Sequence, residues 1–241
     1  MAIPGHTVGV IVDLQFSAAT NDWPQLRAAT LRAEAAGVDT IWVLDHFDGT
    51  LFQNGDRPML EAFSWMTALA ACTTRINVGS LVVNVANRHP EMTALAASTV
   101  QRISGGRLRL GIGAGAAPGS SWAREHDERG IVLQADIADR HQAVVRQIEV
   151  LRHRTPDVPV IVGVSSERLA RIAGAHADGV NVRLGSPSAE RFVQAARAEA
   201  GDRPFEASGW CTPDDVESRR KAQAMGLQRL ILSTSDTFAT T

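Results

Sequence analysis

The residues best suited to chemistry stand at the end of an apolar run, Ile41-Trp42-Val43-Leu44-Asp45-His46-Phe47. A carboxylate beside an imidazole can hydrogen-bond a ligand and move a proton, because imidazole is the side chain that titrates nearest neutrality. The plain alternative is a strand-end cap, where Asp and His are common. A helical pattern from Gln25 to Ala36, closed by Gly37, precedes the run, and a loop rich in Gly, Asn and Asp follows it. In a chain that repeats strand and helix, residues just past a strand's C-terminal end face the active site.

Two glycine motifs are further candidates. Gly111-Ile112-Gly113-Ala114-Gly115-Ala116 fits the dinucleotide pattern, but Pro118 and Gly119 follow, so no helix N-terminus stands ready for a pyrophosphate. The small residues Gly113 and Gly115 suit a flat ring approaching the backbone instead. Gly163-Val164-Ser165-Ser166 follows a strand and opens a helix. Its free amides and hydroxyls suit a phosphate, and equally a Ser N-cap with Glu167 in the first turn. The histidines show no metal-ligand spacing, and no GxSxG elbow supports hydrolase chemistry.

The elements that must position these residues read as eight strands, Thr7–Val12, Thr40–Leu44, Ile76–Val83, Leu108–Gly113, Val158–Gly163, Gly179–Val182, Glu206–Trp210 and Arg229–Leu232. Seven helices alternate with them: Trp23–Ala36, Leu60–Cys72, Pro90–Ile103, Ala138–His153, Ser166–His176, Pro187–Ala200 and Pro213–Met225. Such alternation implies parallel βαβ units, and eight of them favour a closed (β/α)8 barrel. No linker divides residues 1–241, so one domain is expected. The chain stops nine residues after the last strand, so an eighth barrel helix is expected to be missing and the gap to be covered by a second copy in a homodimer.

The barrel reading sorts the motifs by face. Ser104-Gly105-Gly106-Arg107, Ala36-Gly37-Val38-Asp39, Ala177-Asp178-Gly179 and Met225-Gly226 join helix to strand and belong to the stabilising N-terminal face. The strand-to-helix set holds Asp13 and Gln15; Asp45, His46 and Phe47; Asn84, Asn87 and Arg88; Gly113 through Glu125; Gly163 through Ser166; Arg183; Trp210; and Ser233 to Ser235. It is polar and small, which suits a planar, partly apolar cofactor better than a metal.

Composition narrows the class. With 44% hydrophobic and 21% charged residues the chain reads as an ordinary globular protein, and at a net charge of -2 nothing favours nucleic acid as a partner. Cys72 and Cys211 form no CxxC and no disulfide framework, the N-terminus shows no signal-peptide pattern, and no 18-residue apolar run suggests a membrane span. A cytoplasmic protein acting on a small molecule is expected.

Six segments, taken in order, resemble a known family. They are Ala36-Gly-Val-Asp-Thr-Ile-Trp-Val-Leu-Asp-His-Phe47, Met59-Leu-Glu-Ala62, Thr73-Thr-Arg-Ile-Asn-Val-Gly-Ser-Leu-Val82, Arg88-His-Pro90, Ser104-Gly-Gly-Arg-Leu-Arg-Leu-Gly-Ile-Gly-Ala-Gly115 and Ala177-Asp-Gly-Val-Asn181. Together they are similar to the luciferase-like flavin-dependent monooxygenases, and most of all to the branch that uses the deazaflavin coenzyme F420. Asp45-His46-Phe47 resembles that branch, where many FMN-using relatives read Glu-His-His. The likeness is strong over 30–115 and 158–185 and weaker towards the C-terminal end.

This resemblance implies a TIM-type barrel oxidoreductase that uses F420, or alternatively FMN, for hydride transfer or monooxygenation of a small organic substrate. It implies that His46 sits near the reactive ring centre as proton donor, oriented by Asp45. It also implies a cis peptide at Leu81-Val82 beneath the ring, Asn84 at the ring edge, and Gly163, Val164, Ser165 and Ser166 at the phosphate. The position of Ala116 carries a catalytic Glu in some sugar-phosphate dehydrogenase relatives, and Glu125 lies further along the same loop. The shortened chain leaves a second reading, a flavin-binding or structural barrel without catalysis.

Overall fold

Apolar runs bounded by glycine and polar residues become strands, and the segments between them become helices with one buried stripe. The computed structural model describes residues 9–52, 55 and 57–234. Its strands are β1 (Ile11–Phe16), β2 (Thr40–Val43), β3 (Asn77–Asn84), β4 (Leu108–Gly113), β5 (Val160–Val164), β6 (Gly179–Arg183), β7 (Glu206–Cys211) and β8 (Arg229–Thr234). They pair in parallel and in sequence order. β1 closes on β8 from Ile11↔Arg229 to Phe16↔Thr234, so the sheet has no free edge.

Around the barrel lie α1 (Trp23–Ala35), α2 (Ala62–Cys72), α3 (Pro90–Ser104), α5 (Ile137–Arg154), α6 (Glu167–His176), α7 (Ala189–Ala200) and α8 (Val216–Ala224). One short helix, α4 (Arg124–Asp127), interrupts the long β4–α5 connection. The caps are set by sequence. Asp22 and Gln25 form a reciprocal capping box on α1, Glu61 caps α2, and Gly105 ends α3 in the left-handed region at φ 68°. Residues 235–241, where an eighth helix was expected to be missing and where Ser235 falls, lie outside the described residues.

The first strand corrects the sequence reading. β1 runs Ile11–Phe16 rather than Thr7–Val12, so Asp13 and Gln15 belong to the strand and not to the loop after it. Their polarity mimics a strand end, yet both side chains are satisfied inside the barrel. Asp13 Oδ2 accepts from Trp42 Nε1 at 2.8 Å and from Arg229 NH1 at 2.7 Å, and Oδ1 accepts from the Thr40 amide at 3.1 Å. Gln15 Nε2 donates to the Leu81 carbonyl at 2.8 Å.

The barrel interior is thus packed rather than open. Trp42 fills its middle because Gly79 leaves the space: a Cβ there would stand 2.7 Å from the indole. At the base, Arg229 also reaches Asp39 at 2.7 Å, and Arg109 NH2 reaches both Glu206 oxygens at 2.8 Å. Arg107, in the Ser104–Arg107 turn, donates to the Ala70 and Ile76 carbonyls. These groups tie up the N-terminal face, as expected of a stabilising end.

Candidate functional site at the C-terminal mouth of the barrel

Asp45 and His46 leave β2 side by side and take different partners. Asp45 is buried. Its carboxylate accepts from Arg88 NH1 at 2.8 Å and NH2 at 2.7 Å, from Asn87 Nδ2 at 3.1 Å and from the Asn84 amide at 3.0 Å. Arg88 also binds Glu61 Oε1 at 2.7 Å, which is the acid that caps α2. The planar guanidinium fork matches a carboxylate in two bonds, so the pair is rigid. Asp45 therefore staples the C-terminal ends of β2 and β3 together. The expected orientation of His46 by Asp45 does not occur, because all of Asp45's bonds run to the β3 side.

His46 is oriented instead by Glu125, 79 residues away on α4. Its Nδ1 lies 2.7 Å from Glu125 Oε1, and the other carboxylate oxygen accepts the Phe47 amide at 2.7 Å. Burial by itself would raise the Glu125 pKa, but the hydrogen bond from His46 and then the Phe47 amide outweigh it, and the group titrates below its ordinary value. An ionised carboxylate only accepts, so Nδ1 carries a proton, and in the neutral ring the other nitrogen, Nε2, is the acceptor for a ligand. Phe52 meets the imidazole edge-on at 5.4 Å, and Trp122, 52% exposed, lies across it at 5.9 Å and 33°.

Arg129 anchors this strap: it donates to the Glu125 carbonyl at 2.9 Å and pairs with Asp48 at 2.9 Å. The sequence places Glu125 in the strand-to-helix set, as an acid that could stand in for the Glu absent at Ala116, but not as the partner of His46. The usable signal was Glu125-His126-Asp127 within an otherwise small and polar connection too long to be a mere linker.

The platform beside these groups is as expected at its centre. The Leu81-Val82 peptide is cis, and the β3–β4 register shifts between Ser80 and Val83. The glycines around it serve the protein's own side chains. A Cβ on Gly113 would fall 2.6 Å from Val82 Cγ2, one on Gly163 2.8 Å from Val82 Cγ1, and one on Gly115 2.5 Å from Asn84 Oδ1. Gly113, Gly115 and Gly163 thus seat Val82 and Asn84, and the backbone approach read for a flat ring is occupied from the protein side. Val82 itself remains partly exposed.

At β5–α6, Val164 is buried and Ser166 is the N-cap of α6, its Oγ accepting from the Leu169 amide at 3.2 Å, so the capping half of the two readings is realised. Ser165 is exposed beside it. Glu167, in the first turn, is paired with Arg171 and Arg191. Arg183 and Trp210 end up on neighbouring strands with the guanidinium 5.6 Å over the indole. Among the described residues, no group of three or more His, Cys, Asp or Glu side chains is gathered for a metal ion. No helix among them is long and apolar enough to cross a membrane.

Comparison with known proteins places the fold. The chain is 26% identical over 191 residues to 5,10-methylenetetrahydromethanopterin reductase of Methanolobus tindarius, a match covering 72% of this chain and 56% of the relative. It is 29% identical over 168 residues to F420-dependent glucose-6-phosphate dehydrogenase of Amycolatopsis mediterranei, covering 62% and 50%. The chain therefore spans about half the length of these relatives. Its fold superimposes on an F420-dependent secondary alcohol dehydrogenase determined with an F420–acetone adduct, at TM-score 0.71 and 17% identity over 92% of this chain and 93% of that one. Residues 8–225 match the family model of the luciferase-like monooxygenases, and this eight-stranded barrel belongs to that family.

Proposed function

We propose that this protein is an oxidoreductase that binds coenzyme F420, with FMN as the alternative, and acts on a small organic substrate with His46 as its proton-transfer residue. The observation that carries the reading is the 2.7 Å contact of His46 Nδ1 with buried Glu125, which sets the tautomer at a barrel mouth. The residues present fit a flat cofactor. Val82, seated by Gly113 and Gly163, is an apolar support, Asn84 stands at its rim, and exposed Ser165, just before the first turn of α6, offers its amide and hydroxyl to a phosphate. Such a group, when bound, exchanges a hydride with a substrate carbon. His46 Nε2 takes or returns the matching proton on the substrate's oxygen. Glu125 compensates the positive charge that the imidazole gains, and Trp122 and Phe52 hold water off it.

The deazaflavin is favoured by Asp45-His46-Phe47 and by the names of the relatives matched. Titration of the purified chain with F420 and with FMN, read by Trp fluorescence, tests it. Tighter binding of F420 is the expected result, and tighter binding of FMN would replace the cofactor. Binding of neither would leave a structural barrel.

Two copies are proposed to associate through α2 and α3. The α2 sequence carries no charged residue in AFSWMTALAAC, and α3 beside it exposes Met92, Leu95 and Ile103 at 56%, 61% and 48%. Large side chains on one helix and small ones on its neighbour are self-complementary about a twofold axis.

A further inference from the structure

We propose that His126 is a positioning residue that keeps its proton on Nε2 and so leaves the Asn84 side-chain NH2 as a spare donor for a ligand at the mouth. The proposal rests on the reading of this mouth as a cofactor site. His126 is buried on α4, next to Glu125, and its Nε2 has two neighbours with opposite demands. Asn87 Oδ1 lies 2.8 Å away and Asn84 Nδ2 3.0 Å away.

Neither amide is free to flip. Asn84 Oδ1 accepts the Ala86 amide at 2.9 Å, so its nitrogen faces the ring. Asn87 Nδ2 donates to Asp45 Oδ2 at 3.1 Å, so its oxygen faces the ring. A single ring nitrogen cannot both accept from one and donate to the other.

The second ring nitrogen decides between them. Nδ1 is buried and has no hydrogen-bond partner. A proton on Nδ1 would leave an orphaned N–H in the interior and set the lone pairs of Nε2 and Asn87 Oδ1 against each other at 2.8 Å. A proton on Nε2 leaves a lone pair unmatched at buried Nδ1 and an N–H of half-buried Asn84 without its ring acceptor, and it completes a directed chain from His126 through Asn87 to Asp45. An unpaired buried donor is the costlier of the two defects. The mismatch is thereby moved to Asn84 Nδ2. That group is half-buried on the last residue of β3, two positions beyond Val82, where a carbonyl oxygen of a bound ligand can accept from it.

Two measurements decide the matter. The first is the tautomer of His126 in the ligand-free protein, read from two-bond proton–nitrogen correlations of the histidine-labelled chain. Nε2–H is expected, and Nδ1–H overturns the proposal. This outcome does not depend on any cofactor, so it separates from failure of the cofactor reading, which would appear as no fluorescence response to F420 or to FMN. The second is the affinity for whichever of the two binds. Asn84→Ala is expected to weaken it about two- to tenfold, the range of one net hydrogen bond. His126→Gln, whose amide can still donate to Asn87, is expected to stay within about twofold of wild type. The Asn84 NH2 resonances should move on ligand addition. Unchanged affinity in Asn84→Ala, with wild type binding, overturns the proposal.

Discussion

Replacing Glu125 with Gln removes one charge with almost no change of volume, and the structure dictates where the damage falls. Two donors converge on Glu125, His46 Nδ1–H and the Phe47 amide, each at 2.7 Å. Gln has one oxygen and one NH2. The backbone amide cannot change its polarity, so it keeps the oxygen, and the NH2 is left facing His46. The imidazole must then carry its proton on Nε2 and accept at Nδ1, which removes the acceptor offered to substrate. General acid–base catalysis contributes about 100- to 10,000-fold, and a tautomer of the wrong kind forfeits most of it.

Turnover of E125Q should fall by that range while cofactor affinity changes less than about threefold. Bonds to a charged acceptor contribute about 1.5–3 kcal/mol each; one of the two is weakened and the other reversed, so stability should fall by about 1–3 kcal/mol. The Glu125 pKa is lower in the folded chain than its ordinary 4.5, so its contribution is full above that value and is lost as pH falls through the folded pKa. Urea denaturation of both proteins should show a gap that is widest above about pH 5 and closes in acid. Nitrogen chemical shifts of His46 should report the exchange of tautomer directly. An E125Q protein that retains Nδ1–H on His46, or turns over within about fivefold of wild type, refutes the reasoning.

Asp45→Ala strands Arg88, Asn87 and the Asn84 amide, and breaking a buried pair should cost about 3 kcal/mol in chemical denaturation, whereas His46→Ala, which takes one of two donors from Glu125, should cost about 1.5–3 kcal/mol. Ser166→Ala should lose about 1 kcal/mol through its cap on α6, while Ser165→Ala costs nothing in stability and weakens phosphorylated cofactor more than its dephosphorylated form, as paired titrations would show. Burial pushes the Asp13 carboxyl up to about 6, against the pull of Arg229, so the folded state favours its protonated form. Wild type should therefore lose stability relative to Asp13→Asn as pH rises from about 4 through 6, a trend that denaturation at stepped pH would reveal or exclude. Leu95→Glu should halve the mass seen by sedimentation, and a monomeric wild type would dispose of the α2–α3 association.

The sequence by itself determined the barrel. Strand runs, helical stripes, caps such as Asp22 with Gln25, and turn glycines such as Gly105 are all local, and each element follows from a few neighbouring residues. That His46 stands at the C-terminal mouth of the barrel follows from the strand it ends, and the cis bond at Leu81-Val82 was legible from the family likeness. The partner of each polar side chain was not legible. Asp13 and Gln15 look like loop residues until the closed barrel supplies Trp42, Arg229 and the Leu81 carbonyl. Asp45 looks like the companion of His46 until Arg88 arrives from beyond β3 and takes it. Glu125 looks remote until α4 folds back over β2 and puts it on the imidazole. Periodicity is a property of adjacent residues, while a hydrogen bond between side chains 79 positions apart exists only because barrel closure brings β2, β3 and the loop after β4 to one rim; satisfying every buried donor there is a condition on the whole assembly that no single segment contains.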